Sequence, residues 1–159
     1  MLRQDYVLRE IERTVEFCLR AAGLKKGDLV EDLQDFLEEN CEILTGLPLQ
    51  TLLDTESQKL VALFYHPGTA KLPQLLSCGA WLCEAADVSL LSGRHHEARL
   101  LCLRGAQILG FMAAQHGHES EFAPLHDHLE RLLTRLNDYK FPPEELSKVR
   151  SLLTPSVRS

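Results

Sequence analysis

Apolar residues recur every three to four positions along almost the whole chain, which is the signature of amphipathic helices. From Arg3 to Ala22 the stripe is Leu8, Ile11, Val15, Cys18, Leu19 and Ala22. Gly23 is placed to stop that helix, because glycine takes the left-handed conformation cheaply. Asp28 is a suitable cap for a second helix, whose stripe is Leu29, Leu33, Phe36, Leu37, Cys41 and Leu44, with Gly46 at its end. Pro48 opens a short helical piece from Leu49 to Leu53. A further stretch runs from Thr55 to Tyr65, and the two pieces read equally well as one bent helix or as two.

His66-Pro67-Gly68 breaks the pattern. A long helix follows from near Thr69 to just before Gly93, with Pro73 in its first turn, where a missing N–H costs little. The next runs from Arg94 to His116 and carries Ala98, Gly105, Ala106 and Gly110, small residues that let a neighbouring helix approach closely. Beyond the loop Gly117 to Ser120, Leu125, Leu129, Leu132, Leu133 and Leu136 mark another helix. Phe141-Pro142-Pro143 interrupts the chain, and a last helix carries Leu146, Val149, Leu152 and Leu153. Short connections between such helices predict antiparallel neighbours. The expectation is an all-α single compact domain of about seven antiparallel helices over residues 1–154, with a frayed tail at 155–159.

Composition agrees with this reading. Leucine is abundant while strand-favouring residues are sparse, so helix is preferred over strand. The net charge of −6, with no basic run, argues against nucleic acid or an anionic membrane as the main partner. No apolar run is long enough to span a membrane. The first residues alternate charge with apolar positions and do not read as a leader, so a cytoplasmic location is expected. Cys18, Cys41, Cys78, Cys83 and Cys102 are odd in number and irregularly spaced, which fits reduced thiols packed in a core.

The segment LLSG-RHHEA-RLLCLRGA carries a more specific pattern. Ala86 is a small residue at a helix crossing, Gly93 a turn glycine, Ala98 an early alanine of the second helix and Gly105 a later small position. Leu82 stands where a bulky residue is usual. Together they resemble a tetratricopeptide (TPR) repeat, with a TPR-like hairpin at 69–116. Ser89, Cys102 and Gly110 depart from that pattern, and the match covers about 34 residues. The opening DYVLREIERTVEF (Asp5 to Phe17) is similar to the start of a group of short bacterial helical proteins with no assigned activity. The TPR resemblance implies a protein–protein interaction module rather than an enzyme. Carried onto this hairpin, it places Ala80, Cys83, Glu84 and Asp87 on a partner-binding groove, where the two carboxylates would attract a basic peptide. Trp81 and the run Gly110 to Ala114 offer more apolar surface than one stripe needs, so the partner could be a second copy of the chain, a homodimer.

Two other chemistries are encoded less completely. His116, His118 and His126, with Glu130, supply ligand types that suit zinc or nickel. However, His126 and His128 diverge by about 200° on a regular helix. Only His126 and Glu130, four apart, share a face. Glu39 and Glu42 form E-x-x-E, and Glu84 and Asp87 form E-x-x-D. This pair of motifs resembles the all-α nucleoside-triphosphate pyrophosphohydrolases and would imply Mg²⁺ held by four carboxylates. An extra helix between the motifs departs from that family. No P-loop, G-x-G-x-x-G, G-x-S-x-G or C-x-x-C is present, so no catalytic residue and no cofactor is expected. His95 and His96 read as exposed turn residues.

Overall fold

A computed structural model describes residues 2–27, 29–66 and 71–154, with side chains from residue 6 onward. Among the described residues there are eight α-helices: α1 (Leu2–Lys26), α2 (Val30–Thr45), α3 (Leu49–Asp54), α4 (Ser57–Phe64), α5 (Leu72–Leu91), α6 (His95–His116), α7 (Ala123–Arg135) and α8 (Pro143–Leu153). Two 3-10 turns, Ser120–Phe122 and Leu136–Tyr139, flank α7, and no strand occurs among these residues. The stretch after Pro48 is therefore two helices, parted at Thr55, whose extended backbone interrupts the ladder. The expected cap at Asp28, the Pro67-Gly68 break and the tail at 155–159 lie outside the described residues.

Helix α5 organises the molecule. It is apolar on every side, which is the pattern of a helix enclosed by others rather than laid on a surface. Every residue from Leu75 to Ser89 is buried. Helix α6 packs along it as an antiparallel hairpin, and α1, α2, α4 and α7 cover the rest of its circumference. The hairpin turn uses Gly93 at φ +79°, a left-handed conformation that side-chain-bearing residues adopt at a cost. Close approach of α5 and α6 needs Gly105. A Cβ there would stand 2.5 Å from Cys83 Sγ and 3.0 Å from Gly79 O. Gly110 does the same for α8, since its Cβ would meet Leu152 O at 2.2 Å.

Two expectations are corrected by the packing. Helix α1 does not stop at Gly23 but continues to Lys26. An interior glycine costs about 1 kcal/mol. The extra turn offsets this by packing Leu24 and by bringing Lys25 to two carboxylates on α5. The buried stripe of α1 is Val7, Ile11, Thr14, Cys18 and Ala21, rotated by about one residue from the expected one, so Leu8 and Leu19 face outward. The apolar surface expected to form a dimer is covered within the chain. Trp81 is fully buried, Gly110, Met112 and Ala113 are buried, and Phe111 meets the Tyr65 ring edge-on at 4.9 Å.

Candidate functional site

The four residues expected on a groove are brought together, but inside the molecule. Ala80, Cys83, Glu84 and Asp87 are all buried, because α1 and α7 cover that face of α5. They are not exposed to a peptide in this structure. Two carboxylates in an apolar helix demand compensation, since an unpaired buried charge is costly. Neighbouring helices supply it. Lys25 Nζ donates to Asp87 Oδ2 at 2.6 Å and also pairs with Glu84. The Arg135 guanidinium and the Tyr139 hydroxyl both donate to Asp87. Asp87 is thus the common acceptor of three donors, drawn from α1, the end of α7 and the turn after it.

The electrostatics follow from burial and pairing. Burial acts to lower the Lys25 pKa, but the adjacent Glu84 and Asp87 charges outweigh it and raise it above the usual lysine value. Burial raises the Glu84 carboxyl above its usual range, and the Asp87 charge adds to this against the pull of Lys25. Burial likewise pushes up the thiols of Cys18, Cys78 and Cys83, and that of Cys102 to about 12, so none is a ready nucleophile.

Between α1, α5 and α7, with Leu109 of α6 at its base, lies a cavity of about 60 Å³ lined in part by Lys25, Glu84, His128, Arg131 and Arg135. His128 is only 9% exposed. Arg131 Nη2 donates to its Nδ1 at 3.2 Å. A guanidinium has no acceptor to offer, so the imidazole proton sits on Nε2. Burial is the chief reason His128 is lowered to about 4, and the Arg131 charge reinforces it. The ring is therefore neutral near pH 7.

This has a signed consequence for stability. Between about pH 6.5, where an unfolded histidine titrates, and about 4, the unfolded chain takes up a proton that folded His128 refuses. Stability is thereby lost as pH falls through that window, by up to about 3 kcal/mol. Glu84 acts in the opposite sense, because its raised pKa lets the folded state take a proton first. Comparison with His128→Leu separates the two. Urea unfolding of the wild type is expected to weaken relative to the variant from pH 6.5 to 4, and parallel curves would show that His128 is not held neutral.

A second concavity opens at the surface between α6 and α8, with a volume of about 260 Å³. His96, Arg99, Leu100 and Leu103 follow the i, i+3, i+4, i+7 spacing of one helix face on α6. Phe141 and Val149 complete its apolar floor, and Lys148 and Glu145 stand on its α8 side. Leu100 is 44% exposed there.

The remaining candidates are not assembled. The His116 imidazole pairs with Glu119 and lies between the ring of Tyr65, which it meets edge-on, and the tilted ring of Phe122. His126 Nε2 donates to Gly117 O at 2.7 Å, and although His126 and Glu130 line one hollow, His118 remains exposed outside it. Among the described residues no three His, Cys, Asp or Glu side chains converge as a metal site. Glu39 is exposed beside Asp32, Asp35 and Arg20, and Glu42 is also exposed, whereas Glu84 and Asp87 are buried and paired with cations. The four-carboxylate arrangement of a pyrophosphohydrolase is thus not formed. Among the described residues no helix is long and apolar enough to cross a membrane. No protein-family model, curated protein or solved structure matches the chain.

Proposed function

We propose that this chain is a TPR-like helical protein–protein interaction module, and that its partner is an amphipathic helix seated between α6 and α8. The observation that carries this is the open face His96–Arg99–Leu100–Leu103 beside Phe141 and Val149. A helix with apolar residues at matching spacing would continue the side-by-side packing of α5, α6 and α8, which is how an apolar groove takes a helical ligand. Charge selects the partner further. The chain carries −6 overall, yet this rim holds Arg99 and Lys148 against the single carboxylate of Glu145. Acidic residues flanking the apolar positions of the incoming helix fit that rim, and rim charges govern association rate more than affinity.

Photo-crosslinking from position 100 tests this reading, with position 19, an exposed leucine on α1, as the control. The expected result is a set of adducts specific to position 100, whose linked peptides are amphipathic helices with acidic flanks. Equal adducts from both positions would overturn the proposal. So would adducts only to a second copy of this chain, which would make the groove a self-association surface.

A further inference from the structure

We infer that the cavity between α1, α5 and α7 is a binding site for one small oxyanion, either an inorganic oxyanion or the carboxylate of a small organic acid. The cavity is separate from the α6–α8 groove, and its wall carries polar atoms that the chain itself leaves without a hydrogen bond. His128 Nε2 and Arg135 Nε are both buried and lack a hydrogen-bond partner among the described residues, as does Glu84 Oε2, whose charge is met by the Lys25 ion pair. His128 and Arg135 line the same cavity. Each of the two nitrogens is a donor: Nε2 because Arg131 occupies Nδ1 as its acceptor, and Nε because guanidinium nitrogens only donate. Buried donors without acceptors are rare in folded proteins and cost about 1–3 kcal/mol each, so two around one cavity point to an acceptor that occupies it.

The charge of the wall selects the class of acceptor. Lys25, Arg131 and Arg135 line the cavity against the single carboxylate of Glu84, which is itself paired with Lys25. Asp87 does not line it, being turned to Lys25, Arg135 and Tyr139. A neutral histidine adds a donor without adding charge. Once Asp87 behind the wall is counted, three cations face two carboxylates, and this excess of one cation, with donors in need of oxygen, favours an anion over a neutral ligand or a metal ion. Size sets the rest. A cavity of about 60 Å³ holds about four water-sized groups, which suits acetate, formate, phosphate or sulfate and excludes a nucleotide. Arg135, about a third exposed, stands with Ala22, Lys25 and Arg131 on the side open to solvent, so the site is reachable without unfolding.

The test is titration of the full chain with acetate, formate, phosphate and sulfate separately, followed by calorimetry and by the imidazole N–H resonances. Saturable one-to-one binding of at least one anion is expected, with the His128 Nε2–H signal moving as the site fills. His128→Leu removes one donor and is expected to weaken binding about ten- to hundredfold. Preference for the tetrahedral anions would identify an inorganic oxyanion, and preference for the planar ones an organic acid. Failure of all four to saturate across the millimolar range would overturn the inference and leave the cavity to water. Saturation that leaves the His128 signal unmoved would overturn it equally, and that readout needs no variant to fold.

Discussion

Asp87→Ala is expected to cost the fold about 3–5 kcal/mol, the range for removing one partner of a buried ion pair. Asp87 is buried and accepts from Lys25, Arg135 and Tyr139 at once. The three donors lose differently. Arg135 is about a third exposed and can turn toward water, and Lys25 retains Glu84. Tyr139 is fully buried, so its hydroxyl is left with nothing. Asp87→Asn keeps an acceptor for that hydroxyl and is expected to lose less. Combining Asp87→Ala with Tyr139→Phe should cost less than the sum of the two single changes, with a coupling of about 1–3 kcal/mol. Urea unfolding followed by circular dichroism measures all four variants against the wild type. A loss under about 1 kcal/mol for Asp87→Ala would mean that water screens the cluster as it does a surface pair.

That cluster also marks where sequence reasoning reached and where it stopped. The helices were legible because periodicity is local. The turn at Gly93 and Pro73 in the first turn of α5 stand where the pattern puts them. Rotation of α1 about its axis was not legible, because two nearly equal stripes exist. The chain buries the one with Thr14, whose hydroxyl lies 2.7 Å from Ser77 Oγ, and leaves Leu8 and Leu19 outside. The partners of Asp87 lie 62, 48 and 52 residues away, and no local spacing connects them. One signal was present nonetheless. A helix apolar on all sides that still carries Glu84 and Asp87 must be enclosed, and enclosed carboxylates require cations from elsewhere in the chain. Read that way, E-x-x-D on α5 indicates an internal ion cluster rather than a groove or a metal site. The α6–α8 groove had no such signal, since Phe141 and Val149 join it only through the tertiary fold.

The same enclosure fixes what Trp81→Ala should do. Trp81 is fully buried. Its indole N–H donates to Leu37 O at 3.0 Å, and its ring packs between Phe17 and Phe36 at 6.4 and 6.2 Å. Arg20 covers both phenylalanines from outside, with its guanidinium carbon 5.3 and 5.0 Å from their ring centres. Truncation leaves a cavity where α1, α2 and α5 meet, and the usual cost of such a change is about 3–5 kcal/mol. A tryptophan on a dimer face would behave differently. Its removal would leave the monomer's stability nearly intact and would lower the assembled mass. Urea unfolding at two protein concentrations, with native mass spectrometry beside it, separates these cases. The expected outcome is a large drop in midpoint that is equal at both concentrations, with no change in mass. Trp81→Phe refines the point, because it keeps most of the ring packing and loses only the indole donor, at about 1 kcal/mol. A midpoint unchanged by Trp81→Ala would contradict the central place of α5, since Trp81 is the α5 member of the aromatic cluster that Phe17 and Phe36 complete from α1 and α2.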